Sequence, residues 1–263
     1  MERHIVAMAG PIGCGKSTLA EFIAQVDPTH SAHLETSRIV TDIADQFNQT
    51  LAINRGLSGA DEQGLIDAAN QALDSLLTML STMAERRIQS ADVWITSSAL
   101  ASDRSSYAKL FQYFDAVKAE PSLLSSTIVP ETKADYRPLL QWLGGYLLQH
   151  IDPLLWYKEL FRRISELPVE ISVIALTAPR QPAEAEYVQS HGGKVVLINR
   201  PGTNIDGDEL TERRVAEIKA DCSLANDGTL EQLQACAKQV RADLIQSKLH
   251  TQYQTSTFSA SGA

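Results

Sequence analysis

A chain of 263 residues with 23 lysines and arginines against 32 aspartates and glutamates has a formal charge of −9, which argues against a wide basic surface wrapped around duplex nucleic acid and leaves room only for a local basic cleft. The length suffices for one large α/β domain, or for such a domain with an inserted helical part. Three scattered cysteines, Cys14, Cys222 and Cys236, exclude a disulfide framework or a zinc cluster.

The first predicted strand is His4–Ala9, and the turn after it, Gly10-Pro11-Ile12-Gly13-Cys14-Gly15-Lys16-Ser17-Thr18, fits the pattern G-x-x-x-x-G-K-[ST] at every fixed position. Glycines at 10, 13 and 15 let the backbone curl so that successive N–H groups face a phosphate with no Cβ in the way. The helix opening at residues 19–24 adds unpaired N–H donors and the positive end of its dipole. In this setting Lys16 is expected to reach the β- and γ-phosphates of ATP, and the Ser17 hydroxyl to hold Mg²⁺. Cys14 lies inside the loop, where positive potential would lower a thiol pKa and favour oxidation, against the plainer reading of a small tolerated side chain. No signal-type segment precedes the strand and no apolar run is long enough to span a membrane, so a cytoplasmic location is expected.

Residues 31–34 suggest a second strand, followed by a helix carrying Ile39, Val40, Ile43, Ala44 and Phe47 at helical spacing. Glu35, between the two, is either an acceptor-binding or metal-organising acid or a carboxylate favoured by the helix dipole. Residues 49–61 suggest a polar loop, and residues 61–89 a helix with Leu65, Ala69, Leu73, Leu76, Leu80 and Met83 on one apolar stripe. Val93-Trp94-Ile95-Thr96 predicts a strand, with Asp103 and Arg104 beyond it as a surface ion pair or ligand contacts. Helices are expected at residues 107–117, at 139–151 and from Asp152 through Ile164. Arg137 stands at the start of the second of these, where its charge opposes the dipole; an anionic ligand or Asp135 would explain it.

Residues 171–176 and 194–199 are predicted strands joined by a helix, the strand–helix–strand unit of a parallel sheet. This unit delivers Arg180 and Arg200 to the edge where phosphates sit, and an arginine pair there fits phosphate oxygens or structural salt bridges. Arg213 and Arg214 follow a Gly-containing loop and suggest a mobile lid or, more simply, an exposed helix. A last short strand at 222–225, the turn Asn226-Asp227-Gly228-Thr229 and a helix at 230–245 close the domain. The Gln-, Ser- and Thr-rich tail from Ser247 is expected to be disordered.

Three later segments, taken with the phosphate loop, resemble the phage deoxynucleoside monophosphate kinases. They are Leu139-Leu140-Gln141-Trp142-Leu143-Gly144 with Trp156-Tyr157-Lys158, Arg180-Gln181-Pro182 through Arg200-Pro201-Gly202, and Asn226-Asp227-Gly228-Thr229-Leu230. The resemblance implies a three-layer P-loop fold with a parallel sheet and a helical acceptor or lid part. Residues 1–246 would form the kinase domain, 49–165 being largely helical, and 247–263 a disordered tail. It also implies ATP, Mg²⁺ and phosphoryl transfer to a deoxynucleotide-type acceptor in a phage-infected bacterial cell. Lys16 and Arg180 would be catalytic, residues Gly10 to Thr18 would bind the nucleotide, Ser17 the metal, and Glu35, Arg137 and Arg180 the acceptor. The chain departs from the family pattern in having Thr177-Ala178-Pro179 where an acid commonly precedes the arginine, and Gly-Lys-Ser in place of the Gly-Lys-Asp of some members. That departure keeps a second acceptor in view, the 5-hydroxymethyl group of hydroxymethyluracil in DNA, with Glu35 or Asp103 as base and the target base drawn from the stack. A nucleotide-binding switch without kinase activity is the third reading, supported by the lack of a four-apolar strand ending in Asp.

Overall fold

The computed structural model describes residues 3–58, 61–177, 179–203 and 214–258. They fall into two compact units, Met1–Thr36 with Arg163–Ala263, and Ser37–Arg162.

The first unit is built on six parallel strands, β1 (His4–Ala9), β2 (Ser31–Glu35), β3 (Val173–Thr177), β4 (Lys194–Asn199), β5 (Cys222–Ala225) and β6 (Gln252–Gln254), in the spatial order β2-β3-β1-β4-β5-β6. β1 is buried from Ile5 to Ala9 and β3 from Val173 to Leu176, the near-continuous apolar run expected of strands covered on both faces. Val6, Met8, Val173, Val196, Ile198 and Leu224 pack with Leu19 and Ile23 of α1 (Lys16–Gln25) and Leu233, Val240 and Leu244 of α10 (Leu230–Ile245). α9 (Pro182–Ser190) adds buried Ala185 and Val188. This is the α/β three-layer arrangement. β1 pairs with β3 on one side and β4 on the other, so the chain reverses its winding around β1, and the crevice beyond its carboxyl end is where ligands of open parallel sheets bind.

The second unit is helical: α2 (Thr36–Ser58), α3 (Glu62–Ala84), α4 (Ser90–Val93), α5 (Ser97–Ser102), α6 (Ala108–Ala119), α7 (Arg137–His150) and α8 (Leu155–Glu166), the first and last of which run across the unit boundary. The α3 stripe from Leu65 to Met83 is buried throughout. Asp61 caps this helix, accepting from Gly64 N at 2.8 Å.

Three sequence expectations change. The helix from Thr36 runs on to Ser58 where a polar loop was expected from residue 49, because buried Leu51 extends the stripe of Ile43 and Phe47. Val93 to Thr96 is not a strand: α4 ends at Val93, and the extended residues after it pair with no strand among the described residues. Asn70 takes that role, its side chain donating to Ile95 O at 3.1 Å and accepting from Ile95 N at 2.7 Å. The tail is ordered as far as Phe258, with β6 paired to β5 and Tyr253 and Thr255 buried. Two buried anchors outweigh the polar composition of their neighbours. Residues 259–263 lie outside the described residues.

Among the described residues no helix is long and apolar enough to cross a membrane.

Candidate functional site

The turn after β1 is shaped by its glycines. Gly10 has φ +145°, and a Cβ there would stand 2.4 Å from Ile198 O and 2.7 Å from Cys14 Sγ. Gly15 has φ +100°, and its Cβ would fall 2.6 Å from Asn226 Nδ2. Side chains are thus excluded twice over, by the left-handed backbone and by close neighbours. α1 begins at Lys16 directly behind Gly15, so the free N–H groups of its first turn and its positive dipole end open onto the loop.

Lys16 Nζ donates to Gly10 O at 2.8 Å and Pro11 O at 2.6 Å. The ammonium lies inside the ring of the loop, as it must to meet a phosphate bound there. The Ser17 side chain is exposed in the first helical turn. No group of three or more His, Cys, Asp or Glu side chains able to hold a metal occurs among the described residues. A hydroxyl at the loop fits Mg²⁺, which keeps several waters and is bound largely through substrate phosphates. Cys14 is fully buried, and desolvation raises its thiol pKa despite the opposing charge of Lys16. Burial therefore wins over the loop potential, and the plainer reading of this cysteine holds. Cys222 and Cys236, in the sheet core, are pushed up to about 12 by burial.

The same sheet edge carries the other residues that follow strands in this unit. Arg180 follows β3 and Arg200 follows β4, the two neighbours of β1, and both are exposed. Neither forms a salt bridge among the described residues. Arg180 gives its backbone N–H to Glu184 Oε2 at 2.6 Å, and Arg200 reaches Gly13 O from Nη1 at 3.4 Å. Glu184 is buried and its carboxyl is raised by desolvation, against hydrogen bonds from Arg180 and Gln181. Glu35 ends β2, in register with Thr177 of β3, which is in register with Met8 of β1. Two strand spacings, about 10 Å, thus separate its strand from the one that feeds the phosphate loop. His33 Nε2 lies 2.7 Å from Thr177 Oγ1 and 3.4 Å from Glu35 Oε1. Burial lowers the His33 pKa, opposed by the charges of Glu35 and Glu21.

Arg214 donates to Gln181 Oε1 at 3.3 Å, beside Arg180, while Arg213 and the loop before it lie outside the described residues. Two candidates belong to the helical unit. Arg137 is exposed at the first residue of α7 and forms no salt bridge among the described residues, with Asp135 or any other acid. Asp103 and Arg104 do not pair with each other as expected. The carboxylate of Asp103 caps the turn after it, accepting from Ser105 Oγ at 2.6 Å, from Ser106 N at 3.3 Å and from Ser106 Oγ, and these bonds hold its pKa down. Arg104 pairs with Glu62 at 3.3 Å and lies over the ring of Phe111.

Asn226 and Thr255 carry weight that the sequence did not assign. Asn226 is 6% exposed and donates from Nδ2 to Cys14 O at 2.9 Å, a contact between residues 212 apart in sequence. Only the Asn-Asp-Gly-Thr turn signal marked its neighbourhood.

At the opposite edge of the sheet, a cavity of about 320 Å³ is lined by Arg3, His4, Lys194, Asp221 and Ser247 with apolar neighbours. Its charges are occupied. Arg3 donates to Ile164 O and to Leu167 O, and Lys194 pairs with Asp221 at 2.9 Å.

A model of the deoxynucleotide monophosphate kinase family matches residues 4–237. No curated protein matches the chain. The match spans most of the sequence, and the chain belongs to this kinase family: it is a phosphotransferase acting in deoxynucleotide monophosphate phosphorylation.

Proposed function

We propose that this protein transfers the γ-phosphoryl group of ATP to the phosphate of a free deoxynucleoside monophosphate, forming the diphosphate and ADP. The observation that carries the reading is the pairing of a complete G-x-x-x-x-G-K-[ST] loop with two arginines free of salt bridges among the described residues, in the segments that follow the strands either side of β1. Phosphoryl transfer asks the protein mainly for position and charge stabilisation. The loop N–H groups from Gly10 to Thr18 hold the donor phosphates. Lys16, drawn from the loop carbonyls onto a phosphate oxygen, balances charge that moves toward the β-phosphate as the bond to the γ-phosphorus breaks. A Mg²⁺ ion held by the Ser17 hydroxyl would supply further neutralisation of the donor phosphates. Arg180 takes the side facing the acceptor phosphate, with Glu35 and, in the helical unit, Arg137 as acceptor contacts. The helical unit, Ser37–Arg162, is assigned to the acceptor side. A soluble cytoplasmic setting in a phage-infected cell accords with this substrate.

The test is transfer of label from γ-labelled ATP to two acceptor sets offered in parallel. One set is the free deoxynucleoside monophosphates, including 5-hydroxymethyl-dUMP; the other is DNA with and without 5-hydroxymethyluracil. Label on a free monophosphate is expected. Label confined to the modified DNA would replace the proposed acceptor, and ATP binding with no transfer to either would favour a switch.

A further inference from the structure

The chain beyond residue 237, where the family match ends, is tied to the phosphate loop by a continuous line of hydrogen bonds. β6 adds itself parallel to β5, with Leu224 facing Tyr253 and Ala225 facing Gln254. The next residue, Thr255, is 0% exposed. Its Oγ1 accepts from Asp227 N at 2.9 Å and Gly228 N at 2.8 Å, and lies 3.2 Å from Ala225 O, to which it can donate. The Asp227 carboxylate grips the same strap, accepting from Gln254 Nε2 at 2.6 Å, Ser256 Oγ at 3.0 Å and Ser256 N at 3.1 Å, with its Oδ1 also 3.1 Å from Thr255 Oγ1. Gly228 belongs to the fit, since a Cβ there would stand 3.0 Å from Thr255 Oγ1 and 3.1 Å from Ser256 N.

The turn held in this way contains Asn226. Its backbone N donates to Asn199 O at 2.7 Å and its side chain to Cys14 O at 2.9 Å. Cys14 is the residue before Gly15 and Lys16, and its carbonyl must turn inward for the following N–H groups to face outward. In a trans peptide the C=O and the following N–H lie in one plane and point in opposite directions, so fixing the Cys14 carbonyl fixes the Gly15 N–H.

We propose that the C-terminal strap, Gln252–Phe258, is part of the nucleotide-binding machinery, with Thr255 and Asn226 as positioning residues that set the peptide planes of the phosphate loop. The proposal rests on the reading of that loop as the ATP site. It assigns a binding role to a segment whose composition reads as a dispensable tail. The strap touches no substrate; it acts through the turn at 225–229.

The experiment uses the full chain and measures KM for ATP, KM for the acceptor, kcat and thermal midpoint. Thr255→Val keeps the side-chain shape and leaves two backbone N–H groups without their acceptor. It is expected to raise KM for ATP by about tenfold while kcat and the acceptor KM stay within about twofold. Thr255→Ser, which restores the oxygen, is expected to return KM for ATP to within about twofold of the parent chain. A lower midpoint with unchanged KM for ATP, an equal rise in both KM values, or failure of Thr255→Ser to rescue would each overturn the proposal. Should Thr255→Val not fold, the exposed pair Gln254→Ala with Ser256→Ala loosens Asp227 alone; a rise of about threefold in KM for ATP is then expected, and no change overturns the idea. Lys16→Ala separates the two readings. ATP binding lost in that variant but untouched by strap variants sinks the strap alone, whereas a parent chain that binds no ATP sinks both.

Discussion

The two edges of the sheet use the same residue types to opposite ends. At the amino-terminal edge Arg3, Lys194 and Asp221 surround a cavity, yet every charge there has a partner: the guanidinium sits on Ile164 O and Leu167 O, and the ammonium on the Asp221 carboxylate, which also accepts from Val195 N and Gln189. At the carboxyl edge Arg180 and Arg200 meet no acid within salt-bridge distance among the described residues, and Lys16 lies on backbone carbonyls that a phosphate can replace. The difference between the two edges is whether their arginines already sit on protein acceptors: Arg3 holds two backbone carbonyls, whereas Arg180 and Arg200 form no salt bridge among the described residues.

Substitutions sharpen that contrast. Lys16→Ala should lower turnover by about a thousandfold or more with an unchanged circular dichroism spectrum; substantial activity in this variant would move the site elsewhere. In the helical unit Leu73→Ala should destabilise the fold by about 2–5 kcal/mol, since the side chain is fully buried, as read by denaturant unfolding. Arg180→Ala and Arg200→Ala should each reduce kcat/KM by about 10- to 100-fold, the worth of a charged hydrogen bond to phosphate, with little change in midpoint. Arg3→Ala should do the reverse, costing about 1–2 kcal/mol of stability while KM for ATP stays put. If the Arg3 and Arg200 variants behaved alike, the contrast between edges would fail.

Acid offers a smaller effect. The Asp227 carboxyl is pulled down to about 2, chiefly by the Gln254 side chain and then by Ser256 N. Because the folded value lies below the unfolded one, its contribution is fully present above about 4 and is lost as pH falls toward 2. Asp221 behaves in the same sense. Burial would raise it, but hydrogen bonds from Gln189, Val195 N and Lys194 hold it below the usual carboxylate value. A midpoint measured from pH 5 to pH 2 should therefore drop less steeply in Asp227→Asn than in the parent chain.

The strand, glycine turn and helix at residues 4–25 could be read in advance because their constraint is local: glycine spacing, a lysine and the elements on either side lie close together in sequence. Most helices were legible for a related reason, as with the α3 stripe from Leu65 to Met83. Failures came where a distant partner decided the outcome. Val93 to Thr96 has strand-forming side chains but lies in a helical unit, and Asn70 satisfies its backbone. β6 is three residues long and polar apart from Tyr253, so nothing within it announces pairing with β5. The role of Asn226 depends on a carbonyl 212 residues away, and no spacing rule reaches that far.

The position of β1 has a consequence for how the molecule is made. Its two neighbours come late, His4 facing Val173 and Val6 facing Lys194, while the whole stretch Ser37–Arg162 forms one contiguous unit. At ordinary rates of synthesis the first strand waits roughly 10–30 s for a partner. During that interval it is an unpaired apolar segment, exposed to chaperones and to misassociation. Helix-rich segments with local contacts form fast and long-range parallel pairings slowly, so the expected order at the ribosome is helical unit first, sheet last. Ribosome-bound chains stalled so that Arg162 has just cleared the exit tunnel, with β3 still inside it, should show residues 37–162 resisting a protease while the segment before them is cut. Equal protection of both at that length would overturn the order.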